Sequence, residues 1–294
     1  MGLSVSSISL QLEFWKNGLY KGMTHVADMG SQELHIQYEL FKDLLATYSI
    51  THFNEEIFKN LKYFPGTPRV PAKEFYRLLG IENYDCIDLG GSHNAIPIDL
   101  NKPLEDKTLY NKFDLVTDYG NNEHPFNVAE SYRTMHRLCK QGGLLIIEQA
   151  LFGGNGYYNF DVGFFEGIAS ANNYDILASY YMIPIKKEQT IIDVNLPLVP
   201  DLIELFDWSK INYIGISYAF RKKSEADFRM PYQGDLQTSH YQEIYKSPGL
   251  LNKLPPERTY VPLATTYPLS QLRFHELQKE FIKRIKRKAK ELIF

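Results

Sequence analysis

Between Thr24 and Phe220, short apolar runs alternate with longer stretches whose apolar residues recur at helical spacing. A chain patterned this way buries its strands on both faces and must cover them with helices, so it predicts a doubly wound α/β sheet. The predicted strands are 25–29, 84–88, 113–118, 144–148, 175–182 and 212–220. A helical run over 33–48 follows the first strand. An aromatic helical insertion at about 49–80 comes next, carrying Phe53, Phe58, Tyr63, Phe64, Phe75 and Tyr76 among Pro65, Pro68 and Pro71. The α/β domain is expected to fill 1–220. A C-terminal tail over 221–294 is broken by Pro231, Pro248, Pro255, Pro256 and Pro262 and ends in a helical run from 269.

With 294 residues, 44% of them hydrophobic, the chain is long enough to bury a large core. Its formal net charge of -3 gives no general attraction to polyanions, so nucleic acid is not an expected partner. Cys86 and Cys139 are the only cysteines, which excludes a disulfide framework and a CxxC metal pattern and suits a reducing compartment. No window approaches eighteen uninterrupted apolar residues and the first twelve residues lack a basic flank, so a cytoplasmic location is expected. His25, His35 and His93 share no metal-ligand spacing, and no metal is predicted.

The segment 113–150 is the most informative. Phe113-Asp114-Leu115-Val116-Thr117-Asp118 is an apolar run ending in an acid, followed by a turn at Gly120, Asn121 and Asn122. Pro125 suits a first helical position, which predicts a helix starting near His124. Val128, Tyr132, Met135 and Leu138 continue that helix, and Gly142-Gly143 ends it before the apolar run 144–147. This strand, loop, helix and strand resemble the class I S-adenosylmethionine-dependent methyltransferases, small-molecule type. In that family the fourth strand reads FDLV, is followed by an EH pair and an amphipathic helix, and leads through GG to the fifth strand. Here these are Phe113 to Val116, Glu123-His124 and Gly142 to Ile147.

The resemblance implies S-adenosylmethionine as cofactor, a Rossmann-like methyltransferase sheet and a glycine turn after the first strand. Gly30, Ser31 and Gln32 would form that turn, with a helix just after it. Gly30 is its only glycine where the family usually has two or three. Asp88, followed by Leu89, matches the acid that ends the second strand and takes the ribose hydroxyls. It lies well beyond the usual spacing of about 20 residues, and the insertion accounts for the excess. A competing parse takes 87–92 as the glycine turn, but the interval from Asp88 to Asp99 is too short for a crossover helix. Residues 95–98 are therefore a short edge strand or an extended loop, and the resemblance puts Asp99 and Leu100 beside the adenine. Asp118, Tyr119 and Gly120 would line the methionine end of the cofactor.

Methyl transfer from a sulfonium is a displacement in which the protein supplies position, desolvation and sometimes a base. At a helix start His124 would stay neutral and could act as general base, with Glu123 orienting it or binding the acceptor; both residues could equally cap the helix. His136 is expected to make a packing or surface contact, and 153–158 to form an acceptor loop, a lid or a long turn. The expected function is methyl transfer to O or N of a small molecule such as a sugar, lipid-linked intermediate or secondary metabolite. The alternative is a non-catalytic methyltransferase-like binding or assembly subunit with a degraded cofactor turn. The basic run of Lys283, Arg284, Lys286, Arg287, Lys288 and Lys290 forms a basic amphipathic helix in the tail, which raises peripheral membrane contact as a minor hypothesis. A homo-oligomer is left open.

Overall fold

The computed structural model describes residues 2–61, 70–90, 92–187, 190–197, 213–232 and 265–268. The expected basic helix over 269–294 and residues 62–69 of the insertion lie outside the described residues. In chain order the elements are β1 (Gly2–Leu3), α1 (Val5–Lys16), β2 (His25–Met29), β3 (Glu33–Leu34), α2 (Tyr38–Thr47), α3 (Glu55–Phe58) and α4 (Ala72–Leu78). They continue with β4 (Asn83–Ile87), β5 (Phe113–Tyr119), α5 (Val128–Leu138), β6 (Cys139–Phe152), α6 (Val162–Ala171), β7 (Tyr174–Lys187), β8 (Thr190–Pro197), β9 (Ile214–Lys222) and β10 (Thr265–Pro268).

One eight-stranded sheet runs in the order β10-β8-β7-β9-β6-β5-β2-β4. The pairs β4·β2, β2·β5 and β5·β6 are parallel, while β9 is antiparallel to both β6 and β7. β10, beyond the expected domain boundary at residue 220, is antiparallel to β8 in the same sheet. Period-two alternation sends neighbouring side chains to opposite faces. Val26, Leu115, Leu144 and Ile146 pack in one cluster with residues of α1, α2 and α4, such as Ile8, Phe41 and Phe75. Ala27, Val116, Leu145 and Ile147 pack in the other with Tyr132 and Met135 of α5 and Phe165 and Ile168 of α6. This is the doubly wound α/β class expected from the alternation. No helix among the described residues is long and apolar enough to cross a membrane.

Two expected helix starts are corrected. The helix read over 33–48 begins only at Tyr38, because Glu33–Leu34 is extended and pairs in parallel with Gly2–Leu3. The helix read from His124 begins at Val128. Asp118 captures the N–H groups of Asn121 (2.8 Å) and Asn122 (3.3 Å), and the His124 N–H closes a turn on the Asn121 carbonyl (3.0 Å). Pro125 therefore sits in the approach to the helix. The same helix ends at Leu138, ahead of the Gly142-Gly143 pair. Its last turn is closed from another strand: the buried Lys222 Nζ donates to the carbonyls of His136 (2.8 Å) and Cys139 (2.7 Å) and to Asn111 Oδ1 (3.0 Å). His136 makes a packing contact, its ring held by the Tyr174 hydroxyl and the Ala226 carbonyl.

Candidate active site at the carboxyl ends of the parallel strands

From β2 the chain passes to β4 on one side, then returns to β5 on the other. Such a reversal opens a crevice beyond the carboxyl ends of the two central strands, where open α/β sheets bind ligands. Gly30 follows β2 directly with φ +83°, a conformation that glycine adopts without steric cost. Its N–H donates to the Ile87 carbonyl at 2.7 Å, which sets the turn beside the end of β4. Asp88 follows β4 directly, one residue beyond the Ile87 that pairs with Met29.

The Asp88 carboxylate accepts from the Ser31 N–H at 2.9 Å and the Gly90 N–H at 2.8 Å. Partial burial pushes its pKa up, but these N–H donors outweigh that and hold it below the usual carboxylate range. Leu89 beside it is 67% exposed, an apolar surface at the rim of the crevice. Two further contacts tie the loop after β4 to the turn after β2: Ser31 Oγ donates to the Ser92 carbonyl at 2.8 Å, and His93 Nε2 lies 3.0 Å from Glu33 Oε1. Residues 95–98 enter the sheet only as a single parallel bridge, Ile87 to Ile96.

Several expected cofactor residues turn inward. Gln32 is fully buried and donates to the Met29 carbonyl at 2.7 Å. Leu100 packs in the α5-side core, while Asp99 accepts from the Asn101 N–H at 3.0 Å and pairs with Lys102 at 3.3 Å. Asp118 is fully buried, and Gln149 Nε2 donates to its second oxygen. Burial raises its pKa to about 7 despite those bonds. Tyr119 faces the helices α1 and α4, its hydroxyl 3.2 Å from that of Tyr76. Gly120 takes a left-handed turn at φ +74° and donates to the Glu148 carbonyl at 2.8 Å.

The Glu123-His124 pair stands in the loop after β5. His124 Nε2 lies 3.7 Å from Glu123 Oε1, and its side chain is 41% exposed whereas that of Glu123 is 6% exposed. The loop after β6 closes over Glu123. Tyr157 N–H donates to the Glu123 carbonyl at 2.7 Å, and Tyr158 Oη to the Phe126 carbonyl at 2.6 Å. Gly156 has no room for a side chain, since a Cβ there would lie 2.4 Å from the Glu123 carbonyl oxygen. Phe126 and Tyr157, both exposed, meet edge to face at 5.6 Å. The 153–158 segment is thus a loop fastened to the Glu123-His124 loop.

Sequence reasoning missed the buried polar groups beneath this rim. Asp28 is fully buried and accepts from Tyr84 Oη (2.8 Å), Tyr76 Oη (3.1 Å) and Thr117 Oγ1; burial raises its pKa to about 7 against those bonds. Glu148, level with Tyr119, accepts from Ser7 Oγ at 2.5 Å, and burial raises it to about 8. Each group comes from a segment remote in sequence from its partners, and their acidic residues within apolar strands were the only local signal.

Charge divides the two ends of the sheet. The loops 30–37, 88–96, 120–127 and 153–161 at the carboxyl ends of β2, β4, β5 and β6 carry Glu33, Asp88, Glu123 and Asp161 and neither lysine nor arginine. At the amino ends, a polar cleft of about 400 Å³ is lined by Lys21, Lys140 and Arg221 together with Asp114. No group of three or more His, Cys, Asp or Glu arranged to hold a metal ion occurs among the described residues.

No protein-family model and no curated protein matches the chain. Among solved structures it is similar to 1,6-didemethyltoxoflavin-N1-methyltransferase of Burkholderia thailandensis with bound 1,6-didemethyltoxoflavin and S-adenosylhomocysteine, at 11% identity over 74% of this chain and 77% of that one, TM-score 0.31. A SAM-dependent methyltransferase from Archaeoglobus fulgidus matches at 11% identity over 74% and 95%, TM-score 0.38. An O-methyltransferase from a trans-AT PKS multienzyme of Brevibacillus brevis, in complex with S-adenosyl-L-homocysteine, matches at 9% identity over 85% and 86%, TM-score 0.36.

Proposed function

We propose that this chain binds S-adenosylmethionine at the carboxyl ends of β2 and β4 and transfers its methyl group to an O or N atom of a small molecule. Asp88 carries this reading. It ends the strand next to the Gly30 turn at the switch point, where an acid accepts hydrogen bonds from ribose hydroxyls in folds of this topology. Leu89 offers the apolar surface that an adenine ring stacks against.

The donor set suits this cofactor better than a dinucleotide. A pyrophosphate needs N–H groups at a helix start or cationic side chains, yet α2 begins only at Tyr38 and the loops 30–37, 88–96, 120–127 and 153–161 hold no lysine or arginine. A sulfonium with an α-ammonium is cationic and is attracted by the same acidic rim. When bound, the cofactor supplies an electrophilic methyl group. Asp88, Ser31 and Gly30 hold its nucleoside end, and Glu123 and His124 face the acceptor. The His124 ring takes the acceptor's proton on Nδ1, and Glu123, 3.7 Å from Nε2, orients the ring and balances the imidazolium that forms. The reading includes a cytoplasmic location.

A second reading, a binding subunit without catalysis, is favoured by the contacts of Ser31 with Ser92 and of Glu33 with His93, which fasten two loops together across the turn. Isothermal titration of the full chain with S-adenosylmethionine, S-adenosylhomocysteine and NAD separates the two. Saturable binding of the sulfur nucleosides without NAD binding is expected; no binding of either nucleoside selects the non-catalytic reading.

A further inference from the structure

The Glu123 carboxylate is an unusual group to find almost enclosed. The residue is 5% exposed, and among the described residues its side chain has no hydrogen-bond donor and only the His124 ring as an ionic neighbour, at 3.7 Å. Burying a carboxylate in this way is unfavourable unless a cation or donor completes the site.

Another acceptor nearby is also incomplete: Gln149 Oε1, on the adjoining stretch of β6, is buried without a hydrogen-bond partner among the described residues. The described loops 30–37, 88–96, 120–127 and 153–161 supply no lysine or arginine to neutralise Glu123. A hydroxyl or amide ligand would bring an acceptor of its own, whereas an ammonium brings three donors and none. The exposed edge-to-face rings of Phe126 and Tyr157, on the two loops that enclose Glu123, add faces that attract a cation and pack against an apolar body.

We infer that the acceptor is a cationic amine, an aromatic or alkyl ammonium compound of small size, and that Glu123 binds its ammonium group while Phe126 and Tyr157 cover its apolar part. This deepens the methyltransfer reading and rests on it for the word acceptor; amine binding itself does not. Phosphorylated and carboxylate-bearing acceptors are disfavoured by the same field.

The test uses the full chain and isothermal titration, with phenethylamine as the cationic probe, phenylethanol as its neutral counterpart and phenylacetate as the anion, each with and without S-adenosylhomocysteine. Phenethylamine is expected to bind at least tenfold more tightly than either counterpart, and Glu123→Gln to lose at least tenfold of that affinity. A thermal unfolding midpoint of Glu123→Gln equal to that of the parent chain certifies the variant's fold; Glu123→Asp, which keeps the charge, replaces it if that midpoint is altered and should retain measurable amine selectivity. Equal binding of the three probes, no binding of phenethylamine, or full affinity in Glu123→Gln overturns the inference. If amines bind selectively but S-adenosylhomocysteine does not, the cofactor reading fails while the cation site stands.

Discussion

The Ser31 N–H donates to the Asp88 carboxylate at 2.9 Å, joining the turn after β2 to the end of β4 across the sheet's switch point. The bond ties the shape of the glycine turn to an acid that also has lone pairs left for a ligand. Asp88→Asn keeps the size but replaces one acceptor oxygen with a donor. Nucleoside affinity is expected to fall at least tenfold in titration with S-adenosylhomocysteine, roughly the value of one charge-assisted hydrogen bond. Unaltered affinity would remove Asp88 from the cofactor site.

Asp28, Asp118 and Glu148 set the pH dependence of stability. Burial raises Asp28 and Asp118 to about 7 and Glu148 to about 8, so each holds its proton in the folded state at pH values where the unfolded chain has released it. Between the ordinary carboxylate pKa and these values the folded state binds more protons, and stability falls as pH rises. Below pH 4 the full contribution is present; above about 8 it is lost. Asp28→Asn removes one of the three, and the slope of unfolding free energy between pH 5 and 7, from urea titrations, should lessen by up to ~1.4 kcal/mol per pH unit. An identical slope in parent and variant would mean that Asp28 is ionised in the folded state.

Most of the sheet was legible in the sequence because β2, β4, β5 and β6 are apolar runs that end at turn residues, a signal that needs no tertiary knowledge. Asp88 was located at a strand end beside β2 in spite of the long insertion, since a strand reads the same whatever precedes it. The errors arose where remote segments decide local structure. α2 starts late because Gly2–Leu3 pairs with Glu33–Leu34. α5 starts late because the Asp118 side chain holds the N–H groups of Asn121 and Asn122 and the His124 N–H closes a turn on the Asn121 carbonyl, which keeps this stretch in a loop. No element was expected before Thr24, yet α1 is capped by Ser4, which accepts from the Ser7 N–H at 3.1 Å, and covers one face of the sheet. Asp118 was read at a strand end and Tyr119 in the loop beyond it, yet Tyr119 belongs to β5 and both point into the core, because the side-chain alternation of a strand buried on both sides cannot reveal which residue is enclosed.

Lys222 closes the carboxyl end of α5 with three hydrogen bonds from one buried ammonium. Burial lowers its pKa, and the negative end of the helix dipole offsets part of that cost. Lys222→Met fills the same space but leaves two carbonyls and the Asn111 amide oxygen without a donor, which should cost about 2 kcal/mol in chemical denaturation. Because the site of action is the amino end of the sheet, nucleoside affinity at 25 °C should be unchanged. A denaturation midpoint equal to that of the parent chain would mean that water serves these carbonyls equally well.

Gly156 is where the loop after β6 touches the loop after β5, and a Cβ there would sit 2.4 Å from the Glu123 carbonyl oxygen and 2.7 Å from its carbonyl carbon. Neither is the movable tip of a side chain, so Gly156→Ala must displace one loop and break the Tyr157 N–H bond to Glu123. Among the described residues no hydrogen bond joins Asp88 to this junction. Turnover and amine affinity are therefore expected to fall at least tenfold, while S-adenosylhomocysteine affinity stays within about twofold, since distant sites act independently. Overpacking of this kind should also lower stability by about 1–3 kcal/mol, which thermal denaturation would register. A joint loss of amine and nucleoside binding would indicate that the two ends of the crevice form one cooperative unit, and unchanged values for both would mean that the loop over Glu123 plays no part in binding.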